Sequence, residues 1–275
     1  MTKQTLNLGL VQMQSQADAR EENVAKAVGY IDELAERGAE LVVIPEFFNT
    51  EYFFQYRDLT NLDWAESEDG LSIRAIRERA AAHGIHVCAT LLEEQGAGMY
   101  YDTAFLLGPD GKTVGKYRKV HPGGSMSFEK FYFRGGSSFP VWDVKGFRVG
   151  AIICYDHFFP ESARCSALNG AELIVGPFAA PGAACPWDAI MVARAFENGV
   201  YMAPCNKVGR EGDWELGGNS MVVSPRGEIL ARASGESEDT LLVTVDREEV
   251  NLARRRFPML RDRRPDAYAA IGGDE

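Results

Sequence analysis

The chain has 275 residues, of which 45% are hydrophobic and 25% are charged, so it has enough apolar material for a sizeable core. Its formal net charge of −11 argues against general nucleic-acid binding and favours small molecules or proteins as partners. The sequence has no apolar run of the roughly 18 residues that a membrane span needs, and its five cysteines lack the CxxC spacing of a zinc site.

The first residues, MTKQTLNLGL, enter a strand-like pattern without the apolar core of a signal peptide. We therefore expect a cytoplasmic protein that contacts neither a membrane nor a nucleic acid. The cysteine spacing favours no disulfide framework, and the sequence predicts neither a metal nor a cofactor.

Strand-like and helix-like patterns alternate along the first half of the chain. Asp18 stands three residues before Glu21, the spacing of a capping box, so we expect a helix to begin here and to end by Gly38. The other predicted elements are strands at 6–13, 41–44 and 86–94, a helix at 71–83, and a hairpin at 101–119 that turns at GPDG.

Three segments of the first half recur in the same order in the second half. LGLVQM, ending at Met13, resembles VGAIIC, ending at Cys154; GAELVVIP at 38–45 resembles GAELIVGP at 170–177; and AFLLGPDGKTVGK from Ala104 resembles SMVVSPRGEILAR from Ser220. Chance similarity could explain one pair but is a poorer explanation of three. The pattern predicts one α/β domain over residues 1–275, a four-layer α-β-β-α sandwich with two pseudo-symmetric halves.

One of these strands ends in a cysteine. In AIICYDHFFPES at 151–162, a short apolar run ends at Cys154, and a helical pattern begins at Pro160. A cysteine at the end of a strand is often an inert buried thiol. At a strand-to-helix turn, however, a thiolate can face solvent while backbone N–H groups point at a substrate oxygen. Cys154 is therefore the candidate nucleophile.

A nucleophilic thiol needs a base and a group that stabilises the oxyanion. Glu46 follows a buried strand and precedes two phenylalanines, an environment that raises the pKa of a carboxyl group toward the useful range. Lys119 ends the predicted hairpin and is a candidate oxyanion-stabilising cation, while Glu129 is a second acid among aromatic residues. A Cys–His arrangement that uses His121 or His157 is the alternative.

The segments PEFF, GKYRKVH and AIICYDHFFPE, in this order, resemble the three catalytic motifs of the nitrilase superfamily, the carbon–nitrogen hydrolases. The resemblance covers essentially the whole chain and implies the same α-β-β-α sandwich. It further implies that Cys154 is the nucleophile, Glu46 the general base and Lys119 the oxyanion-stabilising cation. Glu129 would position Lys119 and the substrate, and the Tyr155 backbone N–H would complete the oxyanion hole.

The resemblance also suggests the substrate class. It is strongest to the N-carbamoyl-amide hydrolases of the N-carbamoylputrescine amidase and β-ureidopropionase type, so the expected substrate is an N-carbamoyl amine. The alternatives are an aliphatic or ω-amidase, an N-carbamoyl-amino-acid hydrolase, and a binding protein that keeps the fold without catalysis. The residues expected to contact the substrate are Tyr52, Phe53, Phe128, Tyr155, Asp156 and His157.

The C-terminal segment at about 257–275 combines arginines with Phe257, Met259, Leu260 and Tyr268, a composition typical of interfaces. Its apolar residues need a surface to cover them. We therefore expect a homodimer or a higher even-numbered homo-oligomer, with this tail at the interface. A tail that lies along its own subunit is the alternative.

Overall fold

The alternating strands and helices fold into two mixed sheets that pack face to face, with helices on both outer sides. The computed structural model describes residues 4–182 and 185–272. The strands are β1 (Thr5–Gln12), β2 (Leu41–Val43), β3 (His86–Gly96), β4 (Met99–Leu107), β5 (Thr113–Arg118), β6 (Val141–Val144), β7 (Phe147–Ala151), β8 (Leu173–Phe178), β9 (Tyr201–Asn206), β10 (Val208–Glu211), β11 (Trp214–Gly217), β12 (Met221–Val223), β13 (Ile229–Arg232) and β14 (Asp239–Asp246). The helices are α1 (Arg20–Glu36), α2 (Leu71–His83), α3 (Glu129–Tyr132), α4 (Pro160–Leu168), α5 (Trp187–Asn198), α6 (Arg247–Arg256) and α7 (Ala269–Gly272).

The two large sheets have the same topology. The first has the order β14-β1-β2-β3-β4-β5 and the second, read from its β6 edge, the order β6-β7-β8-β9-β12-β13. The strands β1, β2 and β3 of the first sheet are parallel, as are β7, β8 and β9 of the second. In both sheets the strands on either side of these three pair antiparallel. The predicted α-β-β-α sandwich with two similar halves is therefore confirmed.

Three apolar clusters hold the layers together. Alternate residues of the strands, such as Leu8 in β1 and Val175 in β8, meet between the sheets. The helices α1 and α2 cover the first sheet through a cluster that includes Ile31 and Ile76, and α4 and α5 cover the second through one that includes Met191. This arrangement leaves the strand ends as the places where polar side chains can gather.

The predicted start of α1 is wrong in one respect. Helix α1 begins at Arg20 with Ala19 as its N-cap, and no side chain caps it. Asp18 has a positive φ of 52° and lies one residue before the N-cap, so the expected capping box with Glu21 does not form. The expected strands and the α2 helix are present, with ends that differ by a few residues at most.

Among the described residues, no helix is long and apolar enough to cross a lipid bilayer. The C-terminal segment continues from α6 through a 3-10 helix at Pro265–Ala267 to α7. Leu260 packs against the cluster beneath α4 and α5 of its own chain. The last part of the predicted interface segment, 273–275, lies outside the described residues.

Candidate active site

The candidate catalytic residues lie just after strands, as their sequence context indicates. Glu46 follows β2, Lys119 follows β5 directly, and Cys154 follows β7 after two isoleucines. Cys154 and Phe47, the residue after Glu46, both have a positive φ, of 36° and 50°. Left-handed conformations are strained for residues with a side chain and cluster at functional sites. Each turn therefore holds a strained backbone position at or next to a candidate catalytic side chain.

Lys119 is the centre of a fully buried charge cluster. Its Nζ donates hydrogen bonds to Glu46 Oε1 and Glu129 Oε1, each at 2.8 Å. A third carboxylate, Asp102 Oδ2, lies 3.3 Å from the same nitrogen. All four side chains are at most 1% exposed. A single ammonium therefore faces three carboxyl groups away from water.

Glu129 is held from several directions. Besides Lys119 Nζ, its Oε1 accepts a hydrogen bond from the Tyr52 hydroxyl at 2.6 Å, and its Oε2 accepts one from the Gly123 N–H at 2.6 Å. A Cβ at Gly123 would lie 2.6 Å from Ser127 Oγ and 3.4 Å from Glu129 Oε2, so a larger residue there would crowd the carboxylate. These contacts fix the carboxylate that in turn fixes one side of the lysine.

The electrostatics of the cluster favour a charged lysine and a neutral thiol. Burial alone would lower the pKa of Lys119, but Glu129, Glu46 and Asp102 outweigh it and raise the pKa well above its usual value. Burial, together with Glu46, raises the pKa of Cys154 well above that of a free thiol, although Lys119 acts in the opposite direction. Burial also raises the pKa of Glu46. The thiol thus needs a base before it can act as a nucleophile.

Asp156 anchors the turn that carries Cys154. The turn is a 3-10 helix, Cys154–Phe158, whose first backbone N–H groups, including that of Tyr155, have no acceptor within the helix. Asp156 Oδ2 accepts hydrogen bonds from the Tyr117 hydroxyl at 2.5 Å and the Ile153 N–H at 2.9 Å. Its Oδ1 lies 2.7 Å from His121 Nδ1. This carboxylate therefore ties the thiol turn to the segment that follows Lys119.

Neither histidine of the Cys–His alternative is arranged as a catalytic base. The ring of His121 stacks flat on Phe159 at 3.8 Å and is held by Asp156, an orienting partner that the sequence did not reveal. The Nδ1 of His157 lies 2.5 Å from the Cys154 carbonyl oxygen. Burial lowers the pKa of His157 to about 4, so its ring is neutral and holds the backbone of the turn.

A narrow cavity of ≈ 50 Å³ opens beside the thiol. Four residues named from the sequence line it together with Glu129: Cys154, Tyr52, Tyr155 and His157. Glu46 and Lys119 do not line it and join it through Glu129, which Lys119 contacts at 2.8 Å. The cavity therefore reaches the charge cluster at the thiol and at one carboxylate.

Three residues expected to contact the substrate do not line this cavity. Asp156 is fully buried because its carboxylate is used to hold the turn. Phe53 is buried among aromatic residues, against Phe54 and Tyr132. Phe128 is 42% exposed, and its neighbour Ser127 lines the cavity instead. These three residues therefore lie outside the cavity that holds the thiol.

Other parts of the wall were not found by sequence reasoning. Trp214 belongs to β11 and stacks on Tyr52 at 4.9 Å, while Ala179 and Pro181 follow β8. Their sequence contexts carry no chemical signal, since only packing brings them to the thiol. Asp102 did have a weak signal, an acid in the middle of the apolar strand β4.

Several known proteins are similar to this chain over most of its length. Residues 7–255 match the family model described as carbon-nitrogen hydrolase. The chain is 35% identical over 243 residues to a nitrilase of Pyrococcus abyssi, covering 88% of this chain and 90% of that protein. It is 33% identical over 274 residues to the omega-amidase NIT2 of Homo sapiens, covering 96% and 97% of the two chains. The crystal structure of a carbon-nitrogen hydrolase from Helicobacter pylori G27 superposes with a TM-score of 0.91 at 28% identity, covering 98% of this chain and 99% of that one.

Proposed function

The chain belongs to the carbon–nitrogen hydrolase family and is a hydrolytic enzyme, and from this premise we propose that it releases ammonia from a small linear amide through an acyl-thioester on Cys154. The observation that carries the proposal is the position of the thiol in a cavity that Glu129 also lines. Glu129 accepts a hydrogen bond from the buried Lys119, which donates a second one to Glu46. A nucleophile, a base and a cation are the three groups that acyl transfer requires.

In the first half of the proposed reaction, Glu46 accepts the Sγ proton as the sulfur attacks the carbonyl carbon. The negative charge that develops on the carbonyl oxygen is stabilised by the Lys119 ammonium and the Tyr155 N–H. When the tetrahedral intermediate collapses, Glu46 returns the proton to the leaving nitrogen. Ammonia departs, and the acyl group remains on sulfur as a thioester.

In the second half, a water molecule enters the position vacated by ammonia. Glu46 accepts its proton while the water oxygen attacks the thioester carbonyl, and the oxyanion again forms next to Lys119. Collapse expels the sulfur, which recovers the proton from Glu46, and the carboxylic acid leaves. Glu46 thus accepts a proton twice and donates one twice in each turnover, so both of its protonation states must be accessible at the working pH.

The size of the cavity limits the group next to the reacting carbon. A volume of ≈ 50 Å³ holds about three to five water molecules, so the acyl end of the substrate is short. Met126, Pro181 and Trp214 belong both to this cavity and to a wider cleft of ≈ 740 Å³. A longer substrate would extend its tail into that cleft.

The charged residues that line the cavity and the wider cleft affect which substrate tail can bind. In the described part of the chain, no lysine or arginine lines either space, whereas Asp213, Glu215 and Glu236 line the wider cleft. A carboxylate tail would be repelled there. The omega-amidase and amidase relatives favour an amide substrate over the N-carbamoyl amine expected from the motifs, which is therefore the less supported candidate.

Ammonia release over a substrate panel tests the proposed function. We expect the highest kcat/KM for short neutral primary amides, lower values for the same amides with a terminal carboxylate, and lower values again for N-carbamoyl amines, N-carbamoyl amino acids and nitriles. A preference for N-carbamoyl amines would contradict the amide assignment. Binding of all these compounds without any release of ammonia would favour the non-catalytic alternative.

We also propose a homodimer, because the C-terminal segment leaves apolar rings at the surface. Phe196 of α5 and Phe257 after α6 place their rings 5.4 Å apart, and both are more than a third exposed. Because Leu260 packs on its own chain, the C-terminal segment would border the partner rather than cross to it.

Light scattering at micromolar concentration should give twice the mass of one chain. Phe257→Asp should lower the mass toward the monomer, whereas Leu59→Asp, at another exposed apolar residue, should not. A monomeric wild type would reject the assembly.

A further inference from the structure

A third carboxyl group, that of Asp102, faces the catalytic lysine. Asp102 lies in the middle of β4, opposite Leu92 of β3, and its side chain is fully buried. Its carbonyl oxygen accepts a hydrogen bond from the Lys119 N–H at 2.9 Å, which ties β4 to the residue after β5. This backbone contact places Asp102 Oδ2 at 3.3 Å from Lys119 Nζ.

Three carboxyl oxygens of this cluster lack hydrogen-bond donors in the part of the chain that the structure describes. Within the described residues, both oxygens of Asp102 and the Oε2 of Glu46 accept no hydrogen bond from a backbone N–H or from another type of side chain. The carboxyl groups of Asp102 and Glu46 lie within hydrogen-bond contact of each other. Two ionised carboxylates are both acceptors, so this contact becomes a hydrogen bond only when one of them carries a proton. A shared proton also removes one negative charge from the buried site, where three would face one ammonium.

The geometry around Lys119 indicates which group holds that proton. Glu46 Oε1 accepts a hydrogen bond from Nζ at 2.8 Å, whereas Asp102 lies at 3.3 Å without forming one. The ammonium therefore stabilises the ionised form of Glu46 more than that of Asp102. In agreement, burial raises the pKa of Asp102 well above its usual value despite Lys119, and the contact with Glu46 adds to the increase.

We propose that Asp102 is a positioning residue that carries a proton at neutral pH and donates a hydrogen bond to Glu46, so that Glu46 stays ionised and free to accept the thiol proton. The inference rests on the proposed function, in which Glu46 is the base. Without the donor, the ionised form of Glu46 would lose a hydrogen bond, so Glu46 would take up a proton more readily and be blocked as a base. The other titratable groups that face this pair, from the surrounding elements, are Lys119, Glu129, Cys154, Tyr52, Tyr117 and Lys207.

Two substitutions of Asp102 separate a proton donor from a negative charge. Asp102→Asn keeps a donor in the same place, so kcat/KM should stay within about fivefold of the wild type. Asp102→Ala leaves Glu46 Oε2 without a donor, and kcat/KM at pH 7 should fall about 10- to 100-fold. Because the lost donor favoured the ionised form, the pKa of Glu46 should rise and the acidic limb of the kcat/KM profile should move to higher pH. Asn at this position should leave that limb in place.

The matched control is Thr103→Val. Thr103 is the next residue of β4, points to the opposite face and donates to Glu93 at 2.7 Å. Its substitution should lower thermal stability without moving the acidic limb. The inference is overturned if Asp102→Asn loses as much activity as Asp102→Ala, or if Asp102→Ala leaves the pH profile unchanged. Should the alanine variant not fold, retained activity in Asp102→Asn supports the inference and its loss overturns it.

A second measurement needs no substrate. The rate at which iodoacetamide alkylates Cys154, followed by mass spectrometry against pH, reports how readily Glu46 takes the thiol proton. In Asp102→Ala the pH dependence of alkylation should shift to higher pH, as the acidic limb of kcat/KM does. In Asp102→Asn it should not shift. If these shifts are seen while no amide releases ammonia, the inference stands and the proposed amidase function fails. If ammonia is released but the alkylation profiles of all variants coincide, the function stands and the inference fails.

Discussion

Cys154→Ala should abolish ammonia release while leaving the fold intact. Removal of the nucleophile from a comparable hydrolytic triad costs on the order of 10⁶-fold in kcat. The side chain is only partly buried, and alanine adopts the left-handed φ of 36° about as poorly as cysteine does. The thermal midpoint should therefore change little, and the loss should be one of chemistry. Single-turnover ammonia release and a thermal melt measure the two quantities.

The other cysteines provide the control for this prediction. Cys165 lies on α4 and is exposed, so Cys165→Ala should keep the wild-type rate. Rapid mixing with a good amide, followed by acid quenching and mass spectrometry, should show the acyl group on Cys154. Retained turnover in Cys154→Ala, or an acyl group on another thiol, would contradict the assignment of the nucleophile.

Glu46→Gln should lower kcat about 10²- to 10⁴-fold, the usual contribution of a general base. Glutamine has the same shape, and Lys119 keeps its hydrogen bond to Glu129 at 2.8 Å, so the lysine stays paired. The pKa of the Cys154 thiol is raised by burial, which means that the variant should lose alkylation by iodoacetamide at neutral pH together with turnover. A kcat within tenfold of the wild type would contradict the role of the base.

Glu93→Gln is the matched control for this substitution. Glu93 is a buried glutamate of β3 that pairs with Lys116 and Arg118, each at 2.9 Å. It lies in another ion-pair cluster, so its loss should affect stability but not the rate. Lys119→Ala would be a less informative test, because it leaves buried carboxylates without their cation, which costs about 3–5 kcal/mol of stability. Loss of activity in that variant would not separate catalysis from folding.

The local patterns of the sequence determined the fold and the main catalytic candidates. Apolar runs with period two, helical patterns between them and the repetition of three segments predict the strands, the helices and the two similar sheets. These features depend on residues that are close in sequence, so they can be predicted from the sequence. The same holds for Glu46, Lys119 and Cys154: each follows a strand or hairpin directly, and a reactive side chain at such a position stands out against its apolar neighbours.

The tertiary structure decided what each polar group contacts. Asp156 looked like a wall of the substrate pocket but is bound to Tyr117, a residue of another sheet. Asp102 drew no prediction from the sequence, but it lies 3.3 Å from Lys119 Nζ because β4 and β5 pair in one register. Trp214 reaches the thiol cavity from β11, more than a hundred residues from Tyr52, on which it stacks.

The physical reason for this division is the range of the interactions. The periodicity of apolar residues shows which side chains are buried and which way they point. This pattern depends only on residues that are close in sequence. Contacts between the sheets and among loops depend on register and on side-chain packing over the whole chain, which no local pattern encodes. The sequence alone therefore identified the candidate catalytic residues. The third carboxyl group beside the lysine, the anchor of the thiol turn and the walls of the cavity follow from tertiary packing.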